Sequence, residues 1–369
     1  MCIEIGRKKQ RELGIKEVTT FRTRQISILH GLRRIARGLD SRGLWLPLFI
    51  ETHWYDRLDK APTRFAETFY RLRHGSMGEL YLKRRLGALR LNSENLEEDS
   101  PPEIELFIAC ARKDLVTLPL SIKSAITCSR NAISRITLAV PDDDKDLTLE
   151  TIAGSLDKEL VEQVTVKPDS QWFSEELMEE IRSTFGTRFG WFLQQVITAK
   201  SVFDSKSPGV LVLDADTVLL QPTLFLGSDC RQVIHASSEF NEPYYTYLQT
   251  LEARLSVTES HVTHHMLMQP AVLRQTLLNL GFNSVESLIA DALRYSARSG
   301  SKEFSLDYEI YAQFLKVFFP ELVEEVKFSN ISVGRGGDQE RLKRLLKFHA
   351  RTQRFKSVSF HAYIGQVNE

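Results

Sequence analysis

The sequence predicts an α/β fold: a mixed, mostly parallel sheet flanked by helices, preceded by a helical, basic extension. Three observations predict it. IELFIAC (104–110) and RITLAV (135–140) are short continuous apolar runs of strand length. Between them, LVTLPLSIKSAITC (115–128) has helical length and spacing despite Pro119, so the three pieces make a βαβ unit, which joins parallel strands. VLVLDAD (210–216), β-branched, apolar and opened by Pro208-Gly209, is the clearest strand, and it comes after a second helical segment, RFGWFLQQVITAKSVFD (188–204).

The other elements are read in chain order. Residues 1–95 read as helical and basic, with an aromatic cluster at 44–55 broken by Pro47. NSENLEEDSPPE (92–103) turns acidic and Pro-rich, which marks a linker; residues 1–100 are therefore read as an extension and 104–365 as the globular domain. VEQVTVKPD (161–169) holds a third strand, and FSEELMEEIRSTFG (173–186) is a helix stopped by Gly186. Strand VIHAS (233–237), helix YYTYLQTLEARL (244–255), helices within 269–294 and 306–318, and the strand-like SVSF before His361 complete the chain.

Composition narrows the function classes. Of the 369 residues, 42% are hydrophobic and 26% charged, an ordinary globular balance. The formal net charge is zero, so no global field favours nucleic acid. Residues 1–44 nevertheless carry eleven Lys or Arg against four acids, a pattern open to two readings: a solvated tail, or an arm that docks on an anionic membrane face. Four scattered cysteines without metal spacing suit a reducing cytoplasm. The start MCIEIGRKKQ lacks the apolar stretch of a signal peptide, and no run reaches the ~18 residues of a spanning helix.

The chemistry concentrates in GVLVLDADTVLLQP (209–222). In parallel sheets, ligands bind beyond the carboxyl ends of strands. Residues two apart on extended backbone point the same way, so Asp214 and Asp216 converge on one hard divalent cation, which favours carboxylate and phosphate oxygens. The same stretch also fits the pattern of a phosphatase-like hydrolase with Asp214 as phosphoryl nucleophile, although more than a hundred residues precede it and the required downstream Lys is not evident.

With RFGWFLQQ (188–195), LVLDADTVLLQP (211–222), HVTHHMLM (261–268), FSLDYEIYAQF (304–314) and SVSFHAYIG (357–365) placed, the chain resembles GT-A nucleotide-diphospho-sugar glycosyltransferases, closest to a bacterial branch linked to surface-polysaccharide synthesis. The resemblance covers roughly 104–365 and implies a Rossmann-like sheet, Mn²⁺ or Mg²⁺, a UDP- or GDP-sugar donor, and a glycan or lipid-linked acceptor. It implies a nucleotide pocket at Ala109, Arg112 and Asp114, with Asp214 and Ala215 beside the donor, and a late His, here His361, as a third metal ligand. A scaffold that keeps this fold without activity is the non-enzyme alternative. With its cysteines read as free thiols, the chain is expected in the cytoplasm, where the basic arm could dock it to the inner membrane face.

Other groups carry narrower expectations. Lys200 falls inside the apolar stripe of helix 188–204, so it either snorkels outward or meets a phosphate. Arg188 and Gln195 share a neighbouring face with Trp191 that lines the donor site. His264 and His265 are adjacent, so only one of them points into the pocket. Asp307 and Glu309 stand at a helix start capped by Ser305; two apart, they diverge by about 200°, so at most one is a general base.

Overall fold

The computed structural model describes residues 100–361 apart from 238–239, 254, 328–329, 335–345 and 347–354. The expected N-terminal extension, basic arm included, lies outside the described residues. Among the described residues ten strands occur in chain order: β1 (Ile104–Ala109), β2 (Ile133–Val140), β3 (Val164–Pro168), β4 (Val210–Leu213), β5 (Thr217–Leu219), β6 (Gln232–Ala236), β7 (His265–Met268), β8 (Val323–Lys327), β9 (Asn330–Gly334) and β10 (Ser357–His361). The α-helices among them are α1 (Leu118–Cys128), α2 (Lys145–Ala153), α3 (Lys158–Glu162), α4 (Glu175–Phe185), α5 (Phe189–Asp204), α6 (Glu242–Leu251), α7 (Pro270–Asn279), α8 (Val285–Ser299) and α9 (Tyr308–Phe318).

The central sheet has the order β3-β2-β1-β4-β7. The first four strands are parallel, and β7 is antiparallel to β4. The sheet is thus mixed and mostly parallel, as its apolar runs predict. Those runs are continuous because both faces are covered. Phe107, Val210 and Val212 join a core with α4, α5, α7, α8 and α9. Leu106, Ile108, Leu211 and Leu213 join another with α1 and α2.

Local chemistry sets the boundaries. Pro119 sits in the first turn of α1, where its missing N–H costs nothing. The predicted strand 161–169 shortens to β3, because Val161 ends up in α3. Gly186 has φ +54° and ends α4 as expected. At Gly209 a Cβ would meet the end of the Leu267 side chain at 2.9 Å, so a larger residue there would require that side chain to shift. Among the described residues no helix is long and apolar enough to cross a membrane.

Strands β1, β2 and β3 extend the sheet in one direction, and β4 adds on the other side of β1. The carboxyl ends of β1 and β4 therefore flank the point where strand order reverses, the usual ligand crevice of such sheets.

Candidate active site

Strand β4 ends at Leu213, and Asp214-Ala215-Asp216-Thr217 turns back on itself, with the Thr217 N–H donating to the Asp214 carbonyl at 3.0 Å. The two acids therefore sit on a turn and not on extended backbone, which corrects the geometry expected from the sequence. The Ala215 carbonyl accepts from Thr117 at 3.1 Å and from Ser121 at 2.9 Å, which ties the turn to α1.

Two antiparallel ladders bring histidines to the turn. β4 pairs with β7, and the Asp214 N–H continues that ladder by donating to the His264 carbonyl at 2.9 Å. His264 Nδ1 then lies 3.0 Å from Asp214 Oδ2. β5 pairs with β10 in the register Thr217↔Ser359, and the Phe360 N–H donates to the Asp216 carbonyl at 2.8 Å. That register carries His361 alongside Asp216, with Nδ1 3.1 Å from Asp216 Oδ2 and Nε2 3.2 Å from the Ser332 hydroxyl. The two imidazoles are 5.3 Å apart between ring centres.

Helix α9 closes the site from the third side. The Tyr308 hydroxyl donates to Asp214 Oδ1 at 3.0 Å. Asp307 is buried beside it; burial, reinforced by the charge of Asp214, pushes its carboxyl up to about 7. The Ser305 hydroxyl donates to Asp307 Oδ1 at 3.2 Å and accepts from the Glu309 N–H at 3.3 Å, but the helix starts at Tyr308, so its N-cap position is Asp307 and not the expected Ser305. Sequence reasoning missed Tyr308 and Ser332. An aromatic at a helix start reads as core, and Ser332 reaches His361 only through the β9–β10 pairing.

Asp214 and Asp216 on this turn and His361 at the end of β10 are oxygen and nitrogen donors of the kind a divalent cation takes. Among the described residues the trio whose ligand atoms all lie within 4.8 Å of one another is a different one, Glu259, His261 and Glu325. There Lys316 supplies the cation, ion-paired with Glu259, 3.0 Å from Glu325 and 3.4 Å from His261 Nε2. Lys316→Met strands two carboxylates in the interior. The expected loss is about 2–3 kcal/mol, below the ~3–5 of a fully buried pair because the ammonium is 22% exposed. A urea midpoint equal to wild type refutes the pairing.

Several predicted residues take other positions. Lys200 pairs with Asp204 at 3.2 Å and Glu286 at 3.0 Å, so it snorkels and is engaged away from a phosphate role. His265 is buried against Phe225 and His235, and burial pulls its pKa down to about 3, which keeps it neutral; His264 is the one of the pair that faces the turn. Glu309 is fully buried and accepts from Tyr245, Ser260, Gln313 and the His261 N–H, a satisfied carboxylate with no opening to an acceptor. Gln195 accepts the Leu306 N–H at 2.8 Å and thereby supports the loop that carries Asp307. Arg188 pairs with Glu303 at 2.9 Å, its guanidinium 4.2 Å from the Trp191 ring centre.

At the carboxyl end of β1, Ala109 leads into the turn Arg112–Asp114, and Arg112 Nε donates to Asp144 Oδ1 at 2.6 Å. Asp169, past β3, is held at about 6 by burial and by the charges of Asp142 and Asp144. Its folded-state value lies above the ordinary ~3.9, so its stabilising share is present below pH ~4 and lost as pH rises through about 6. Asp169→Asn is therefore expected to raise the melting temperature at pH 7 and to lose that advantage at pH 4. A gain that is equal at both values argues against charge as its cause.

No protein-family model matches the chain. No curated protein matches it either. Among solved structures it is similar to mouse xyloside xylosyltransferase 1 in its apo form, at 10% identity over 71% of this chain and 99% of that one, with a TM-score of 0.41. It is also similar to the galactosyltransferase LgtC in complex with donor and acceptor sugar analogs, at 11% identity over 70% and 87% of the two chains and a TM-score of 0.40. The PaToxG glycosyltransferase gives 12% identity over 69% and 78%, with a TM-score of 0.33.

Proposed function

We propose that this chain is a GT-A type glycosyltransferase that moves a sugar from a nucleotide-diphosphate donor to a glycan or lipid-linked acceptor in surface-polysaccharide synthesis. The observation that carries the reading is the convergence of His264 and His361 on Asp214 and Asp216 where strand order reverses. Asp214, Asp216 and His361 would hold the Mn²⁺ or Mg²⁺. When bound, the metal supplies positive charge against the departing nucleoside diphosphate. Ala109, Arg112 and Asp114, at the neighbouring strand end, would border the nucleotide. Asp307, buried beside Asp214, would accept the acceptor hydroxyl's proton if transfer inverts the sugar centre.

The phosphatase-like reading fits less well. Asp214 follows three strands of the sheet, β1, β2 and β3, and the pattern's downstream Lys is not evident in the sequence. Thermal melting against UDP- and GDP-sugars, with and without Mn²⁺, tests the proposal. A rise only with both Mn²⁺ and a nucleotide sugar, accompanied by slow donor hydrolysis, supports it. A phosphate mimic trapped on Asp214 favours the hydrolase, and no response to any nucleotide favours an inactive scaffold.

A further inference from the structure

We infer that Tyr308 is a positioning residue: together with His264 it holds the Asp214 carboxylate from both sides, so that the cation meets an acid already fixed in one orientation. The inference rests on the glycosyltransferase reading and deepens it. Tyr308 OH donates to Oδ1 and His264 Nδ1 faces Oδ2, each at 3.0 Å. The backbone of the same residue is pinned as well, its N–H by the His264 carbonyl and its carbonyl by the Thr217 N–H. A carboxylate bound at both oxygens and at both backbone groups has lost the freedom to rotate about its side-chain bonds.

The two holders are themselves fixed. His264 has φ +62°, a left-handed backbone that non-glycine residues rarely adopt and that persists only where the surroundings determine it. That conformation sends its ring to Asp214, while His265, next along, packs into the interior. Tyr308 is the first residue of α9, whose later turns, through Ile310, Tyr311 and Phe314, are buried in the main core. The hydroxyl is therefore delivered by a rigid element and not by a loop. Groups that orient a metal ligand from behind typically govern metal affinity by ~10–100-fold.

The experiment is calorimetry of Mn²⁺ with UDP or GDP on the full chain, in wild type, Tyr308→Phe, Asp214→Asn and the double variant. Phenylalanine keeps the ring that packs and removes only the donor. The expected result is a loss of Mn²⁺ affinity of roughly 10–100-fold in Tyr308→Phe, with an unchanged metal-free melting temperature. In the Asp214→Asn background the same change should add nothing, because the hydroxyl acts through that carboxylate. Wild-type affinity in Tyr308→Phe overturns the inference while leaving the metal site standing. An equal loss in both backgrounds also overturns it, since the hydroxyl would then act by another route. If wild type itself fails to bind Mn²⁺ with either nucleotide, the glycosyltransferase reading falls, and this inference falls with it.

Discussion

Asp216→Ala is expected to abolish Mn²⁺–nucleotide binding and sugar transfer while the protein remains folded. The side chain lies past the end of the central sheet, on a turn, and is 17% exposed. Its carboxylate faces His361, while the bond that continues the β5–β10 ladder uses its backbone carbonyl, which alanine retains. Alanine therefore removes the proposed ligand and leaves the strand pairing alone. Loss of a direct carboxylate ligand should exceed the ~10–100-fold that orienting residues contribute, so affinity is expected to fall by more than about 100-fold. Asp214→Ala should do the same. Calorimetry with Mn²⁺ and UDP or GDP, run beside circular dichroism, decides the matter. Unchanged binding in both variants would remove the metal from the site.

The legible part of this molecule is the part governed by burial. β1, β2 and β4 announce themselves because the stretches of a strand covered on both faces are apolar without alternation, as Leu106-Phe107-Ile108 and the four residues of β4 are. The position of the acids at the end of such a strand is then directly readable. Register is what the sequence does not display. His361 is 145 residues from Asp216, and only the Thr217↔Ser359 pairing sets them side by side. The turn at 214–217 is equally hidden, since Asp-Ala-Asp is compatible with extended backbone and with a turn. Lys200 shows another limit: the helical wheel puts it in the apolar stripe, but four methylenes let its ammonium reach Glu286 at the start of α8. Tyr308 is hidden for a different reason, because hydrophobic periodicity counts its ring and ignores its hydroxyl.

Asp307→Asn is expected to lower sugar transfer by roughly 10²–10⁴-fold, the usual worth of a general base, with donor and metal binding close to wild type. The two acids of FSLDYEIY divide along the helix geometry. Glu309 turns into the core, where Tyr245, Ser260, Gln313 and the His261 N–H saturate it. Asp307 stays next to Tyr308 and Asp214 at the turn, with the Ser305 hydroxyl as a donor. Glu309→Gln should therefore act on stability, by disturbing a buried network that needs a carboxylate at its centre, and change turnover of the folded fraction little. Comparing the two variants at matched folded concentration separates the roles: turnover falls in the first, the unfolding midpoint in the second. Asparagine keeps the size of Asp307 and can still accept from Ser305, so a loss of turnover in that variant reports the missing negative charge and proton acceptor and not a collapsed loop. If Asp307→Asn transfers sugar at the wild-type rate, the anomeric configuration of the product separates two explanations. Retention means that no base is needed at this position, and inversion means that the base is a different residue.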